Sequence, residues 1–393
     1  MSLPSVSIIL VNLNGSHHFE ALFESLRALD YSRELIEIVV VDNASVDDSV
    51  NWLALKAPDA RVIRANRNLG FAGGVNAGVK AAQGDVLVFL NTDMRVARNW
   101  LRQLVTPIAG RETDCTTGLN LSWNGRAVNF GGSAMNFHGI GWQVGMDDPD
   151  LERYRRRCDT LFGCGGSMAI RRDVYDDAGG FDEDFFAYYE DVDFGFRLWV
   201  LGYRVTYVPE AIAYHHHMAT SRRIATQKVR LLQVRNPLWL IYKNYEQAVL
   251  DRVLPAALLV HQRRTASFLP LDDDGYRIDA QDGRARGTLH EWRLKLRAGT
   301  RSIGIAPLAK ADMLAIDDFS TKLGAMSDKR RSIQSRRKRP DAEILGLFRI
   351  PFWAVQSDPA FVHIFNAVVE GFGLPEIFGT REIVVDPRVA IDR

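Results

Sequence analysis

The chain has 393 residues, 47% apolar and 25% charged, a balance that fits a folded protein with core material for two or three domains. A net charge of +1 gives no whole-molecule attraction for nucleic acid. The three cysteines, Cys115, Cys158 and Cys164, lack metal-type spacing and are too few for a disulfide framework, which fits a reducing cytoplasm. The N-terminus reads as a strand without a signal-peptide n-region, and no apolar run approaches the roughly 20 residues that span a bilayer.

Val6 to Val11 is a buried strand that ends in Asn12-Leu-Asn14-Gly15. His18 to Leu29 has helical spacing of Phe19, Leu22, Phe23 and Leu26. Ile36 to Val41 is a second strand, closed by Asp42-Asn43-Ala-Ser45, and Asp47 or Asp48 can cap the helix after it. Arg61 to Arg64 is a third strand, followed by Asn66-Arg-Asn68-Leu-Gly70 and a small-residue helix from Phe71 to Ala82. Val86 to Leu90 is an unbroken apolar run that stops at Asn91, Thr92 and Asp93. Strands alternating with helices predict a parallel α/β sheet, whose strand ends share one rim. The polar clusters are therefore read as one site, in which a carboxylate such as Asp93 can meet a ligand or a divalent cation.

No Gly-x-Gly-x-x-Gly fingerprint and no P-loop is present, so the rim must hold its ligand by another pattern. Asp42 suits a ribose or base contact, and the Gly70, Gly73, Gly74 turn brings backbone N–H groups within reach of phosphate. Leu101 to Leu161 reads as an antiparallel or looped insertion carrying Trp123, Phe130, Phe137 and Trp142, aromatics that either pack or stack on sugar faces. Leu161 to Ile170 is a glycine-opened strand, Arg172 to Ala178 a short helix, and Phe194 to Leu201 an apolar helix. Between the two helices, aromatics surround Glu190-Asp191. A partly desolvated carboxylate there is a better proton acceptor, which favours chemistry over simple capping for one of the pair. Tyr203 to Val208 is a further strand, and His215-His216-His217 follows, with one imidazole expected to join Asp93 as a metal ligand.

Taken together, Asp42-Asn43-Ala-Ser45, Asn66 to Asn76, Asn91-Thr92-Asp93, Gly180-Phe-Asp182, Tyr189 to Asp193 and the His215 triplet resemble the family 2 inverting glycosyltransferases, most of all their bacterial rhamnosyltransferase-like branch. The resemblance covers about residues 4–250 and implies a GT-A type nucleotide-sugar fold. It implies that Asn12, Asn14, Asp42 and Asn43 hold base and ribose, and that Arg64, Asn68, Gly70 and Asn76 line the nucleotide pocket. It places Asn91, Thr92 and Asp93 where the family has its Asp-x-Asp motif, with Asn91 replacing the first Asp. Asp93 with His215 or His216 would bind Mg²⁺ or Mn²⁺. Asp191 matches the general base, with Glu190 second. The implied donor is a dTDP- or UDP-linked sugar, and the acceptor a glycan or polyprenyl-linked glycan in cell-wall, O-antigen or exopolysaccharide assembly. Rival readings are a sugar-1-phosphate nucleotidyltransferase, whose basic glycine-rich first loop is missing here, and a non-catalytic nucleotide-sugar-binding protein.

The expected layout is a catalytic domain over 1–250, with its nucleotide half near 1–100 and its acceptor half near 101–250. A linker or subdomain is expected over 251–302, including Asp272-Asp-Asp-Gly275, and a helical extension over 303–393. Within the extension, Lys329 to Arg339 carries seven basic residues in eleven, flanked by Leu345, Phe348, Ile350 and Phe352. That pattern reads either as a solvated helix face or as a basic amphipathic segment resting on the inner membrane face.

Overall fold

The computed structural model describes residues 3–216, 225–269 and 305–390. Strands β1 (Val6–Asn12), β2 (Ile36–Asp42), β3 (Arg61–Arg64) and β4 (Val86–Asn91) alternate with helices α1 (Phe19–Arg27), α2 (Ser49–Lys56) and α3 (Gly70–Ala81), as the apolar periodicity predicts. The four strands pair in parallel, in the order β4-β1-β2-β3. Val6 to Leu10 and Val86 to Leu90 are buried along their whole length, because helices cover both faces.

The second half departs from the expectation of an insertion. Short β5 (Met94–Val96) leads into α4 (Trp100–Ala109), and β6 (Cys115–Ser122) then enters the middle of the same sheet. Its sequence, Cys-Thr-Thr-Gly-Leu-Asn-Leu-Ser, hides a central strand because Thr116, Thr117 and Asn120 are fully buried polar residues. Thr116 and Thr117 satisfy their hydroxyls on backbone carbonyls of Leu104 and Ser167 at 2.9 and 3.1 Å.

Small strands β7 (Val128–Phe130), β8 (Ser133–Met135), β9 (Gly141–Gln143) and β10 (Cys158–Asp159) wrap this edge. Next, β11 (Ser167–Arg171) runs antiparallel between β4 and β6. Helix α5 (Arg172–Asp177) and helix α6 (Glu190–Val200) precede β12 (Val205–His215), which lies parallel to β6 and shifts register between Val208 and Ile212. The full sheet order is β10-β12-β6-β11-β4-β1-β2-β3. Antiparallel β11 reverses the direction at the centre, so β4 and β6 do not pair directly.

The C-terminal part is helical: α7 (Thr226–Asn244), α8 (Gln247–Ala266), α9 (Pro307–Thr321), α10 (Leu323–Ser335), α11 (Asp341–Ile344), α12 (Pro359–Gly371) and α13 (Leu374–Phe378). Residues 251–266 of the expected linker belong to α8, while Asp272 to Gly275 lies outside the described residues. The helices share one apolar core with the sheet, in which Phe348, Phe352 and Phe365 join Phe137, Phe196 and Tyr245. The extension is thus packed onto the half that holds the sheet. Among the described residues no helix is long and apolar enough to cross a membrane.

The basic run is occupied internally. Lys329 reaches Asp182 and Asp184, and Arg330 donates to the carbonyls of Tyr242 and Tyr245 at 2.6 Å. Arg336 pairs with Asp177, Arg337 with Asp341 at 2.9 Å, and Arg339 donates to the Tyr203 carbonyl and lies over Trp199. Leu345, Phe348, Ile350 and Phe352 are buried. The run read as a solvated face or a membrane segment thus acts as a clamp, tied to carboxylates at Asp177, Asp182, Asp184 and Asp341 and to carbonyls at the end of α7 and at Tyr203.

Candidate active site

Parallel pairing puts the carboxyl ends of β1, β2, β3 and β4 on one rim, where Asn12 stands opposite Asp42 and Asp42 opposite Arg64. Asn12 is fully buried and donates through Nδ2 to Asp42 Oδ1 at 3.1 Å and Ser45 Oγ at 3.0 Å, while its Oδ1 accepts the Gly15 N–H. Gly15 sits so close that a Cβ there would meet Asn12 Oδ1 at 2.6 Å. Asn14 takes a left-handed conformation, φ 55°, and its Oδ1 accepts the Val46 N–H at 2.7 Å. These side chains lock the first two strand ends together, and Arg64 and Asn68 stand exposed beside them.

Two expected pocket residues act as braces. Asn43 is buried, donates to the Gly70 carbonyl at 2.9 Å and accepts the Leu69 N–H, so it shapes the turn rather than facing the rim. Asn76 is taken up by Tyr175 Oη at 2.6 Å and by the Phe181 carbonyl and Glu183, across to the second half. Asn68 Oδ1 accepts the N–H of Gly70, where φ is 75°. A Cβ on Gly70 would meet the Phe186 carbonyl at 2.2 Å, so this position requires glycine.

Asp93 lies between β4 and β5, largely buried like its neighbour Thr92. His215, at the end of β12 and paired in register with Met94, brings Nε2 to 3.3 Å from Asp93 Oδ1. Burial pushes the Asp93 carboxyl up, but the His215 hydrogen bond and the fields of His215 and His18 outweigh it and hold the group below its usual range. Asn129 Oδ1 lies 2.9 Å from His215 Nδ1, so the imidazole is held between Asn129 and Asp93. His216 turns elsewhere, stacked on Trp123 at 3.9 Å, and touches Asp93 only through its backbone N–H. His217 lies outside the described residues. One carboxylate oxygen and one imidazole nitrogen suit Mg²⁺ or Mn²⁺ that completes its shell with phosphate oxygens and water. Among the described residues no group of three His, Cys, Asp or Glu side chains converges to hold an ion alone.

The carboxylate pair opens α6, four residues earlier than the predicted start of that helix. Asp191 Oδ2 accepts the Gly165 N–H at 3.0 Å and Oδ1 the Val192 N–H at 2.9 Å. Burial raises its pKa, and those N–H groups pull it back. Glu190 is more enclosed, its Oε2 has no hydrogen-bond partner, and burial together with the charge of Asp191 pushes it well above the carboxylate range. Burial thus disfavours the charge on both acids, most strongly on Glu190, while Asp191 keeps two backbone N–H donors. Asp193, by contrast, is structural: it is fully buried and accepts from Lys243, Asn244 and Arg197.

The Gly165-Gly166 pair joins the two ends of the site. A Cβ on Gly165 would meet Asp191 at 3.2 Å, and one on Gly166 would meet Asn91 Nδ2 at 2.5 Å. The buried Cys164 beside them feels the charge of both Asp191 and Asp93.

Sequence reasoning missed the supports of the acceptor side. Phe186, Tyr188 and Tyr189 all have φ between 64° and 67°, three left-handed aromatics just before Glu190. Carbonyls of the same turn are gathered by Asn236, whose Nδ2 donates to Phe185, Ala187 and Tyr188 at 3.1, 3.0 and 2.7 Å. Arg235 adds bonds to the Asp184 and Phe185 carbonyls. Helix α3 contributes the Phe71 N–H to the Phe186 carbonyl at 2.7 Å. The signal in the sequence was Arg235-Asn236, a polar pair inside an otherwise apolar helical stretch.

Residues 7–179 match the model of Glycosyl transferase family 2. The matched span holds the donor rim and Gly165-Gly166 but ends before Glu190-Asp191 and His215. Human polypeptide N-acetylgalactosaminyltransferase 3 is 25% identical over 290 residues, which is 66% of this chain and 44% of that protein. The O-antigen biosynthesis protein RfbC of Myxococcus xanthus is 27% identical over 254 residues, 62% of this chain and 19% of that protein. The chain thus spans less than half the length of these two relatives. The crystal structure of GalNAc-T7 with UDP, GalNAc and Mn²⁺ superimposes with a TM-score of 0.54 at 19% identity, over 77% of this chain and 59% of that one. The fold is of the GT-A type, with a mostly parallel central sheet and a helical C-terminal region.

Proposed function

We propose that the protein is a metal-dependent, inverting glycosyltransferase that moves one sugar from a nucleoside diphosphate to a hydroxyl of a glycan or lipid-linked glycan. The observation that carries this reading is the pairing of two unlike centres across Gly165-Gly166. One is Asp93 with His215 at 3.3 Å; the other is Asp191, poised by the Gly165 N–H. The family 2 domain over residues 7–179 supports a nucleotide-sugar donor, and the relatives whose names carry N-acetylgalactosamine transfer and O-antigen biosynthesis support a glycan product.

Asp42, Asn12 and Asn14 would hold the ribose and base, with Arg64 and Asn68 at the open side. Asp93 and His215 would hold Mg²⁺ or Mn²⁺, which supplies neutralisation of the charge on the departing diphosphate. Asp191 Oδ takes the proton of the attacking hydroxyl. As that oxygen bonds to the anomeric carbon, the bonding pair to the donor oxygen leaves with the nucleoside diphosphate. One base and one displacement give inversion, and no second nucleophilic carboxylate is required. Glu190 is enclosed beside Asp191, and burial disfavours a second negative charge there. Branch resemblance makes dTDP-rhamnose the first donor to test, with UDP-hexoses and UDP-N-acetylhexosamines next.

The test is nucleotide release from a panel of sugar nucleotides with Mg²⁺ or Mn²⁺, comparing wild type with Asp191→Asn and Asp93→Asn. Donor-selective release that requires metal and collapses in both variants supports the reading. If no sugar nucleotide is turned over and none shifts the melting temperature, the reading falls.

A further inference from the structure

Behind the left-handed turn that delivers Asp191 lies a set of cations that the chemistry above does not use. Tyr189 caps α6, and its hydroxyl feels Arg264 and Arg230 as well as Asp191. Arg230 is committed: it grips Asp312 through Nε at 2.5 Å and Nη2 at 2.6 Å, and Thr265 Oγ1 also donates to that carboxylate at 3.2 Å. Arg264, one residue before Thr265 on α8, is different. Its Nε is buried without an acceptor, and among the described residues no carboxylate pairs with it. Its charged neighbours are Arg230, which repels it, and Asp312, which Arg230 already occupies. Burial and Arg230 push its pKa down to about 10, so it stays protonated at neutral pH.

The walls of this spot are equally unsatisfied. His261 is 1% exposed, and neither ring nitrogen has a hydrogen-bond partner. Burial and the two arginines hold it neutral, with its pKa near 3. His138 packs edge-on against it at 5.4 Å, with Nε2 on Asn136 at 2.8 Å and Nδ1 unpartnered. Two guanidiniums against one carboxylate leave a positive charge over. A half-buried guanidinium without a counter-charge is costly, and an oxyanion that meets it gains charge-assisted, bidentate bonds.

Arg264 lies within electrostatic reach of Tyr189, the residue that caps α6 directly before Glu190-Asp191. We propose that Arg264, backed by Arg230, is an anion subsite that selects an acceptor carrying a phosphate or carboxylate group close to the hydroxyl to be glycosylated. The inference rests on the transferase reading for the word acceptor, while the anion site itself does not.

The test uses the full chain, wild type against Arg264→Met and Arg264→Lys, with glucose, glucose 6-phosphate and glucuronate as probes. Probe binding is followed by saturation-transfer NMR at low salt, and donor hydrolysis is followed in parallel. Wild type is expected to bind at least one of the two anionic sugars about tenfold more tightly than glucose. The stronger of the two identifies phosphate or carboxylate as the group selected. Arg264→Met is expected to erase that preference, Arg264→Lys to keep part of it, and donor hydrolysis to stay unchanged in both. Arg264→Met is also expected to hold or raise the melting temperature, because it removes an uncompensated charge. Equal binding of the three sugars by wild type, or an anion preference that survives in Arg264→Met, overturns the subsite. A marked loss of thermal stability in Arg264→Met also overturns it, by showing that the cation serves the fold. Absence of donor hydrolysis and of any melting shift with sugar nucleotides, together with the expected anion preference, removes the transferase reading and leaves the anion site standing.

Discussion

At the donor end, each rim side chain is held by a neighbour on the next strand or turn. Asn12 meets Asp42 and Ser45 across 30 and 33 residues, and Asn43 meets Gly70 across 27. At the acceptor end the supports come from far along the chain: Asn236 reaches Phe185 across 51 residues, and Lys329 reaches Asp182 across 147. The donor end is thus a product of parallel strand pairing, which brings its groups together whenever the sheet forms. The acceptor end exists only after α7 and α10 have docked. A loop with three left-handed aromatics does not hold itself, since each such residue costs on the order of 1 kcal/mol or more. The helical extension therefore holds the turn that carries Asp191.

The largest expected effect lies at the base itself. Asp191→Asn should lower transfer about a thousandfold, whereas Glu190→Gln should cost far less, because burial disfavours the Glu190 charge and its Oε2 accepts no hydrogen bond. A pH profile of kcat/KM sharpens the distinction. Asp191 acts only when ionised and its pKa is raised, so activity should climb with pH through a limb above the ordinary carboxylate range near about 4. Equal losses in the two variants would break the assignment of roles.

The next effect tests the clamp. Lys243 is 1% exposed and holds Asp182 and Asp193 at 2.5 and 3.0 Å. Burial alone would raise Asp182, but Lys243 and Lys329 outweigh it and hold its carboxyl well below the usual range. Lys243→Met strands two buried carboxylates and should cost about 3–5 kcal/mol of stability in urea unfolding. A group with a depressed folded pKa stabilises above its unfolded value near about 3.9 and loses that contribution as pH falls towards the folded one. The difference between wild type and Lys243→Met should accordingly shrink in acid, and a pH-independent difference would argue against the ion pairs.

A smaller effect belongs to Asn236→Ala. It leaves the Phe185, Ala187 and Tyr188 carbonyls without their shared donor, and each unsatisfied buried group costs about 1–3 kcal/mol before relaxation. Transfer should fall while the affinity for the nucleotide, measured calorimetrically, stays as in wild type. A parallel loss of nucleotide binding would mean that the two ends are not built separately. The smallest change is expected for Arg331→Ala, whose one partner, Asp328, is exposed like itself. Stability should move by less than about 1 kcal/mol, and a large loss would show that the whole basic run, rather than its inward-facing members, carries the clamp.

The sequence by itself determined the donor half. Four apolar runs ending in Asn12, Asp42, Arg64 and Asn91 specify a parallel sheet, and parallel strands must place those ends on one rim. It also marked Asp93 and the Glu190-Asp191 pair by their setting. Only the tertiary structure decided which histidine meets Asp93, because a register of one residue on β12 turns His215 inward and His216 onto Trp123. Burial likewise separated Asp191 from Glu190, two adjacent acids that a one-dimensional pattern treats alike. The central place of β6 stayed hidden because its threonines and asparagine look solvent-facing until α4 and β11 cover them. The basic run looked like a membrane face for a related reason: charge density is written in sequence, but the carbonyls and carboxylates that absorb it come from elements folded against it.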